Sequence, residues 1–100
     1  MSNAHKGRRN EYKVREWLEA LGYVVTRSAG SKGAWDLIGL SGQSVALAQV
    51  KTNEWPPPAE RIALEAFVAP VITRRFMFRC DDRKPMRVRE LVMGDWVEVV

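Results

Sequence analysis

The spacing of apolar residues changes period along the chain and divides it into elements. Between residues 6 and 21, Val14, Trp17, Leu18 and Leu21 recur at the spacing of one helix face, and Gly22 follows at the position where a helix end favours glycine. This predicts a helix over 6–21. "YVVTR" at 23–27 is rich in β-branched and aromatic residues and reads as a strand. A small-residue loop, "SAGSKGA", leads to "WDLIGL" at 35–40, the turn "SGQ" and "SVALAQVK" at 44–51, which together predict an antiparallel hairpin. "WPPP" at 55–58 interrupts the strands, and Pro58 suits the first turn of a short helix over 58–67 with Ile62, Ala63, Ala66 and Phe67 inward. Past Pro70, "RRFMFRC", "PMRVREL" and "DWVEVV" predict three further strands. The expected architecture is α/β: a central mixed sheet flanked by helices, in one domain spanning residues 1–100.

Composition narrows the class. Hydrophobic residues are 46% and charged residues 28%, ordinary values for a globular chain. No apolar run approaches the roughly 20 residues of a membrane span, and "MSNAHKGRR" lacks the apolar centre of a secretion signal, so no membrane partner is expected and a cytoplasmic protein is. One cysteine, Cys80, and one histidine, His5, exclude a disulfide framework and a Cys/His zinc site within one chain. Cys80 alternates with Phe76 and Phe78 and reads as a small core residue. Trp17 and Trp35, the latter pointing opposite to Asp36, also read as core, whereas Trp55 sits among prolines as the more exposed aromatic.

Charge adds a partner. The net charge is +4, and it is unevenly spread. Lys6, Arg8, Arg9, Lys13 and Arg15 open the chain, and Arg74, Arg75, Arg79, Arg83, Lys84, Arg87 and Arg89 crowd residues 74–89 against Asp81 and Asp82. Such clusters are the electrostatic footprint of nucleic-acid binding; a solvated charged face is the plain alternative.

The chemistry lies at the end of the hairpin. Residues two apart in a strand share a face, so Gln49 and Lys51 point with Val45 and Leu47, and Asp36 points with Ile38 and Leu40. Glu11 lies on the stripe of Val14 and Leu18, where a carboxylate is costly unless paired. Glu11, Asp36 and Gln49, with the main-chain carbonyl of Val50, offer hard oxygen ligands suited to Mg²⁺ or Mn²⁺. Lys51 beside them could polarise a water and stabilise charge on a phosphate, a combination suited to metal-assisted phosphodiester hydrolysis. A structural Asp36–Lys51 ion pair is the plain alternative.

"KG" at Lys6–Gly7, Glu11, "RSAGS" at 27–31, "WDLIGL" at 35–40 and "AQVK" at 48–51 resemble the archaeal-type Holliday junction resolvases of the PD-(D/E)xK nuclease superfamily. The resemblance covers Lys6 to about Thr52 and implies a restriction-endonuclease-like fold. It implies Asp36 as a metal ligand, Lys51 as the catalytic lysine, Glu11 as the helical glutamate by the metal, Arg27 as a contact to DNA, and Ser28 or Ser31 as the serine of the intervening loop. Gln49 departs from the pattern, which usually has glutamate there, though transposon end-cleaving nucleases of the wider superfamily look similar in using Gln-x-Lys. The second half of the chain does not match.

Together these readings lead to a Mg²⁺- or Mn²⁺-dependent endonuclease, selective for branched DNA and acting as a homodimer. Its DNA contacts are expected at Lys6, Arg8, Arg9, Arg27, Ser28, Ser31, Lys32, Arg74 and Arg75. The alternatives are a non-cleaving DNA-binding module, an endonuclease that nicks during phage DNA processing or transposition, and a protein-interaction module.

Overall fold

The computed structural model describes residues 3–28 and 34–99, with side chains from Gly7 onward. Helix α1 (Asn3–Ala20) precedes strands β1 (Val24–Arg27), β2 (Leu37–Leu40) and β3 (Val45–Thr52). Helix α2 (Pro58–Ala66) then crosses to β4 (Thr73–Cys80), β5 (Arg87–Val92) and β6 (Asp95–Val99). The six strands form one mixed sheet in chain order: β3 and β4 are parallel and every other pair is antiparallel. Antiparallel neighbours need only a turn between them, whereas the parallel pair requires a crossover, which α2 provides.

The α1 face carries the larger core. Val14 and Leu18 pack with Val25, Leu37, Ala46, Ala48, Phe76, Phe78, Cys80 and Val88. The small side chains of Ala46 and Ala48 bring α1 close to the centre of the sheet, and Trp17 sets its ring edge-on against Phe76 and Phe78, at 5.4 Å from each. Leu21, expected on the stripe, is exposed. It is the last residue before Gly22, whose φ of 99° turns the chain out of the helix. Gly22 N donates to Glu19 O (2.9 Å) and Tyr23 N to Leu18 O (3.2 Å), closing the helix in a Schellman motif that only a residue tolerant of positive φ allows. Buried Asn10 donates from Nδ2 to Thr52 Oγ1 at 2.8 Å and ties α1 to the far end of β3.

The α2 face is smaller. Trp35, Leu47, Leu64 and Met77 form its centre, flanked by Trp55 and Trp96. Here the helix orientation departs from the expected one. Ile62, Ala63, Ala66 and Phe67 are all exposed, and the inward residue is Leu64. Three tryptophans already cover most of this face, so a nine-residue helix needs one apolar anchor, and Leu64 reaches the gap over Leu47 and Met77. Phe67 keeps an edge contact with Trp35 at 6.0 Å. Trp35 is core as expected but joins this cluster. Residues 34–36 lie before β2 begins, so strand alternation does not govern them.

Leu64 is 1% exposed and Ile62 is 64% exposed. Leu64→Ala should therefore destabilise the fold by about 2–5 kcal/mol. Ile62→Ala should change stability by no more than about 0.5 kcal/mol. Urea unfolding of the two variants measures this, and equal losses would refute the orientation of α2.

Candidate active site

β3 runs on past the end of β2, and that mismatch creates the site. The last ladder pair of the two strands is Leu37 with Ala48. Asp36 sits in a bend before β2, with its N–H on Ala48 O (2.8 Å) and its carbonyl accepting from Ser28 N (2.9 Å). Its carboxylate then takes the place of the missing strand: Oδ2 accepts from Val50 N at 2.8 Å. This corrects the expectation that Asp36 lies on one sheet face with Ile38 and Leu40. The carboxylate turns into the plane of the sheet, open to both faces. A strand residue projects its N–H and C=O to the same side, so the Val50 carbonyl faces the same gap.

Two groups of side chains meet this carboxylate. On the α2 face, Gln49 satisfies its surroundings when its Nε2 donates to Asp36 Oδ2 (3.1 Å) and to Ala34 O. Lys51 extends to α2, where its Nζ lies 3.0 Å from Glu60 Oε2 and 3.3 Å from Oε1. On the α1 face, Glu11 pairs with Arg27 at 2.9 Å. These two, with Arg8, Tyr12, Arg15 and Leu37, line an open cleft. Arg15 also donates to Val25 O at 2.8 Å, which leaves its Nε buried without a partner.

Burial pushes the Asp36 carboxyl above its ordinary pKa. The Val50 N–H, Lys51 and Arg27 draw it back, and the charge of Glu60 adds to the rise. The carboxylate thus senses Lys51 and Glu60 from one face and Arg27 from the other.

Asp36, Gln49, Val50 and Lys51 are therefore brought together. Glu11 stands at the same end of the sheet but against Arg27. Gln49 presents its amide nitrogen, not its oxygen, to Asp36. Glu60 is a member the sequence reading missed. With Ile62 and Phe67 taken as inward, Glu60 falls on the outer side of α2; with Leu64 inward, Glu60 lies one turn before it and faces the sheet.

No group of three His, Cys, Asp or Glu side chains among the described residues could hold a metal. That does not suit a metal caged wholly by protein. One or two carboxylates with main-chain and amide oxygens suit Mg²⁺, which keeps waters and shares ligation with substrate phosphates. The half-buried Asp36 carboxylate beside the Val50 carbonyl fits this pattern.

The expected DNA contacts fare unevenly. Arg8 and Arg9 are exposed on α1, and Ser28 is held at the loop entrance by its N–H. The side chains of His5 and Lys6, with Ser31 and Lys32, lie outside the described residues. Four arginines of the arginine-rich hairpin are ion-paired within the fold. Arg74 grips Glu90 through Nε (2.7 Å) and Nη2 (3.0 Å) while lying over the Phe76 ring, and Arg75 donates to Phe67 O. Arg79 pairs with Asp81, and Arg87 and Arg89 share Glu98 while stacking on half-buried Trp55. The run looks one-signed in sequence because Glu90 and Glu98 fall just beyond it; strand pairing returns them beside the arginines.

The fold is restriction-endonuclease-like. Among solved structures the chain is similar to Archaeoglobus fulgidus Hjc, a Holliday junction resolvase from an archaeal hyperthermophile. The TM-score is 0.66 at 21% identity, over 83% of this chain and 70% of that one. No family model and no curated protein matches the sequence. No helix among the described residues is long and apolar enough to cross a membrane.

Because the folded-state pKa of Asp36 is raised, its stabilising contribution is present below the ordinary value of 3.8 and lost as pH rises through the folded value. At pH 7 the ionised carboxylate then costs stability. Asp36→Asn keeps an oxygen for the Val50 N–H and removes the charge. It should raise the urea midpoint at pH 7, with the gap closing as pH falls toward 3.8. A midpoint no higher than the parent's at pH 7 would mean that Lys51 and Arg27 fully offset the burial.

Proposed function

We propose that this chain is a Mg²⁺- or Mn²⁺-dependent DNA endonuclease that selects branched DNA. The observation that carries the reading is the half-buried Asp36 carboxylate capping Val50 at the strand end, with Lys51 alongside. The restriction-endonuclease-like fold supports it, as does the likeness to a Holliday junction resolvase.

In this reading Asp36 and the Val50 carbonyl oxygen hold the cation. Gln49 keeps the Asp36 carboxylate in place through its amide and can add its oxygen if the amide turns. The cation, when bound, lowers the pKa of a water and neutralises charge on the phosphate. Lys51 would orient an attacking water and stabilise charge on the phosphate with its ammonium. Arg27, steadied by Glu11, and Arg8 and Arg15 in the adjoining cleft, meet phosphates on either side of the reacting one. A duplex or junction has two strands to cut and one site cuts one, so the active species is a symmetric homodimer.

One observation favours the second reading, a DNA-binding module without cleavage: the amide at position 49 offers Asp36 a donor where an acidic side chain would add charge.

Labelled four-way junction, flap and duplex DNA, each with Mg²⁺, Mn²⁺ or EDTA, separate the two. Cleavage of the junction in metal and none in EDTA is expected. Asp36→Ala and Lys51→Ala should each lower cleavage by at least about a hundredfold while leaving junction affinity nearly unchanged, since affinity comes from the basic contacts elsewhere. Junction binding by the parent with no cleavage in either metal would favour the module.

A further inference from the structure

The nuclease reading leaves a charge unaccounted for. Asp36 and Lys51 cancel one another, and the amide of Gln49 adds no charge. A dication would gain little from such a group, because hard cations are held in proportion to the anionic ligands around them. On the α1 face Glu11 and Arg27 cancel in the same way.

Glu60 supplies the missing charge. Pro57 caps α2 and Pro58 occupies its first position, so the chain enters the helix in a fixed direction and Glu60 lies in the first turn. Leu64, buried one turn later, fixes which side faces the sheet. Glu60 consequently points at the end of β3, 3.0 Å from Lys51 and near enough to Asp36 for its charge to oppose that group's ionisation. Its Oε2 is shielded from solvent and lies 3.0 Å from the Lys51 ammonium. A carboxylate oxygen with that one contact keeps a second lone pair for a cation.

We propose that Glu60 is the second anionic ligand of the cation held by Asp36, supplying from α2 the charge that Gln49 does not supply from β3. The proposal rests on the nuclease reading above and adds a ligand to its site. It also gives Lys51 two positions: paired with Glu60 when the cation is absent, and released toward the phosphate when Glu60 turns to the cation. The plainer account is that Glu60 serves only to neutralise Lys51 at a helix N-terminus.

Mn²⁺ binding to the full chain without DNA, followed by calorimetry and by the loss of the free-Mn²⁺ electron paramagnetic resonance signal, tests this without relying on turnover. Glu60→Gln should weaken Mn²⁺ binding by about tenfold or more, with circular dichroism unchanged. Adding Gln49→Glu to that variant should restore most of the affinity by returning the charge from β3. Unaltered Mn²⁺ binding in Glu60→Gln would overturn the assignment while leaving the nuclease reading intact, provided the parent still binds and cleaves. Lys51→Met in the Glu60→Gln background should leave binding weak. Recovery to the parental affinity there would mean that Glu60 only offsets the lysine, and the assignment would fall. If the parent itself neither binds Mn²⁺ nor cleaves in its presence, the nuclease reading fails first, and this proposal falls with it.

Discussion

A single hydrogen bond, from Val50 N to the Asp36 carboxylate at 2.8 Å, determines the rest of this site. β2 has four residues and β3 has eight, so the far half of β3 loses its neighbour on one side. Backbone groups left at such a step need partners. Asp36 provides one from a side chain rather than from a further strand residue, and the cost is a carboxylate drawn into a half-buried position. Compensating that burial requires cations on both faces, which the fold supplies as Lys51 from β3 and Arg27 from β1. The same step leaves the Val50 carbonyl facing an open gap. A structural need and a chemical opportunity therefore have one origin.

Much of this was legible from residue spacing. The elements follow from periodicity and from Gly and Pro positions, with boundaries shifted by a few residues at most. Asp36, Gln49 and Lys51 could be placed together because strand alternation and a short turn leave little freedom. The readings failed where those local rules stop. Asp36 lies in a bend, so the direction of its carboxylate came from the demand of Val50 rather than from alternation. Helix α2 is too short for its apolar residues to define a face, and its orientation is set by Leu64 joining Trp35, Leu47 and Met77, residues distant in sequence. The positive run from 74 to 89 is partly offset by Glu90 and Glu98, partners visible only once strand register is known.

The two faces of the sheet divide the work. The α1 face carries the continuous apolar core and fixes the helix at its C-terminal end, through the Gly22–Glu19 and Tyr23–Leu18 bonds, and near its middle, through the Asn10–Thr52 bond. The basic cleft opens beside that rigid helix, so its arginines are presented from a firm surface. The α2 face is thinner and more polar. Its anchor is one leucine, and its rim is held by side-chain contacts such as Trp96 Nε1 to Glu65 (2.8 Å) and the arginines stacked on Trp55. A carboxylate borne on this lighter element can shift between partners at lower cost than one locked into the α1 core.

That division bears on how a site can persist with glutamine at position 49. What a cation requires is oxygen and negative charge at a point in space, not a particular position in the strand. The parallel β3–β4 pair demands a crossover, and the crossover helix must pass over the exposed end of β3. The first inward turn of that helix is thereby delivered beside Lys51, where Glu60 stands. Gln49 is then free to hold Asp36 and Ala34 as a donor, a role that a glutamate with its charge could not fill. The topology brings a helix carboxylate to the end of β3, and the prolines at the start of α2 fix the direction of the helix.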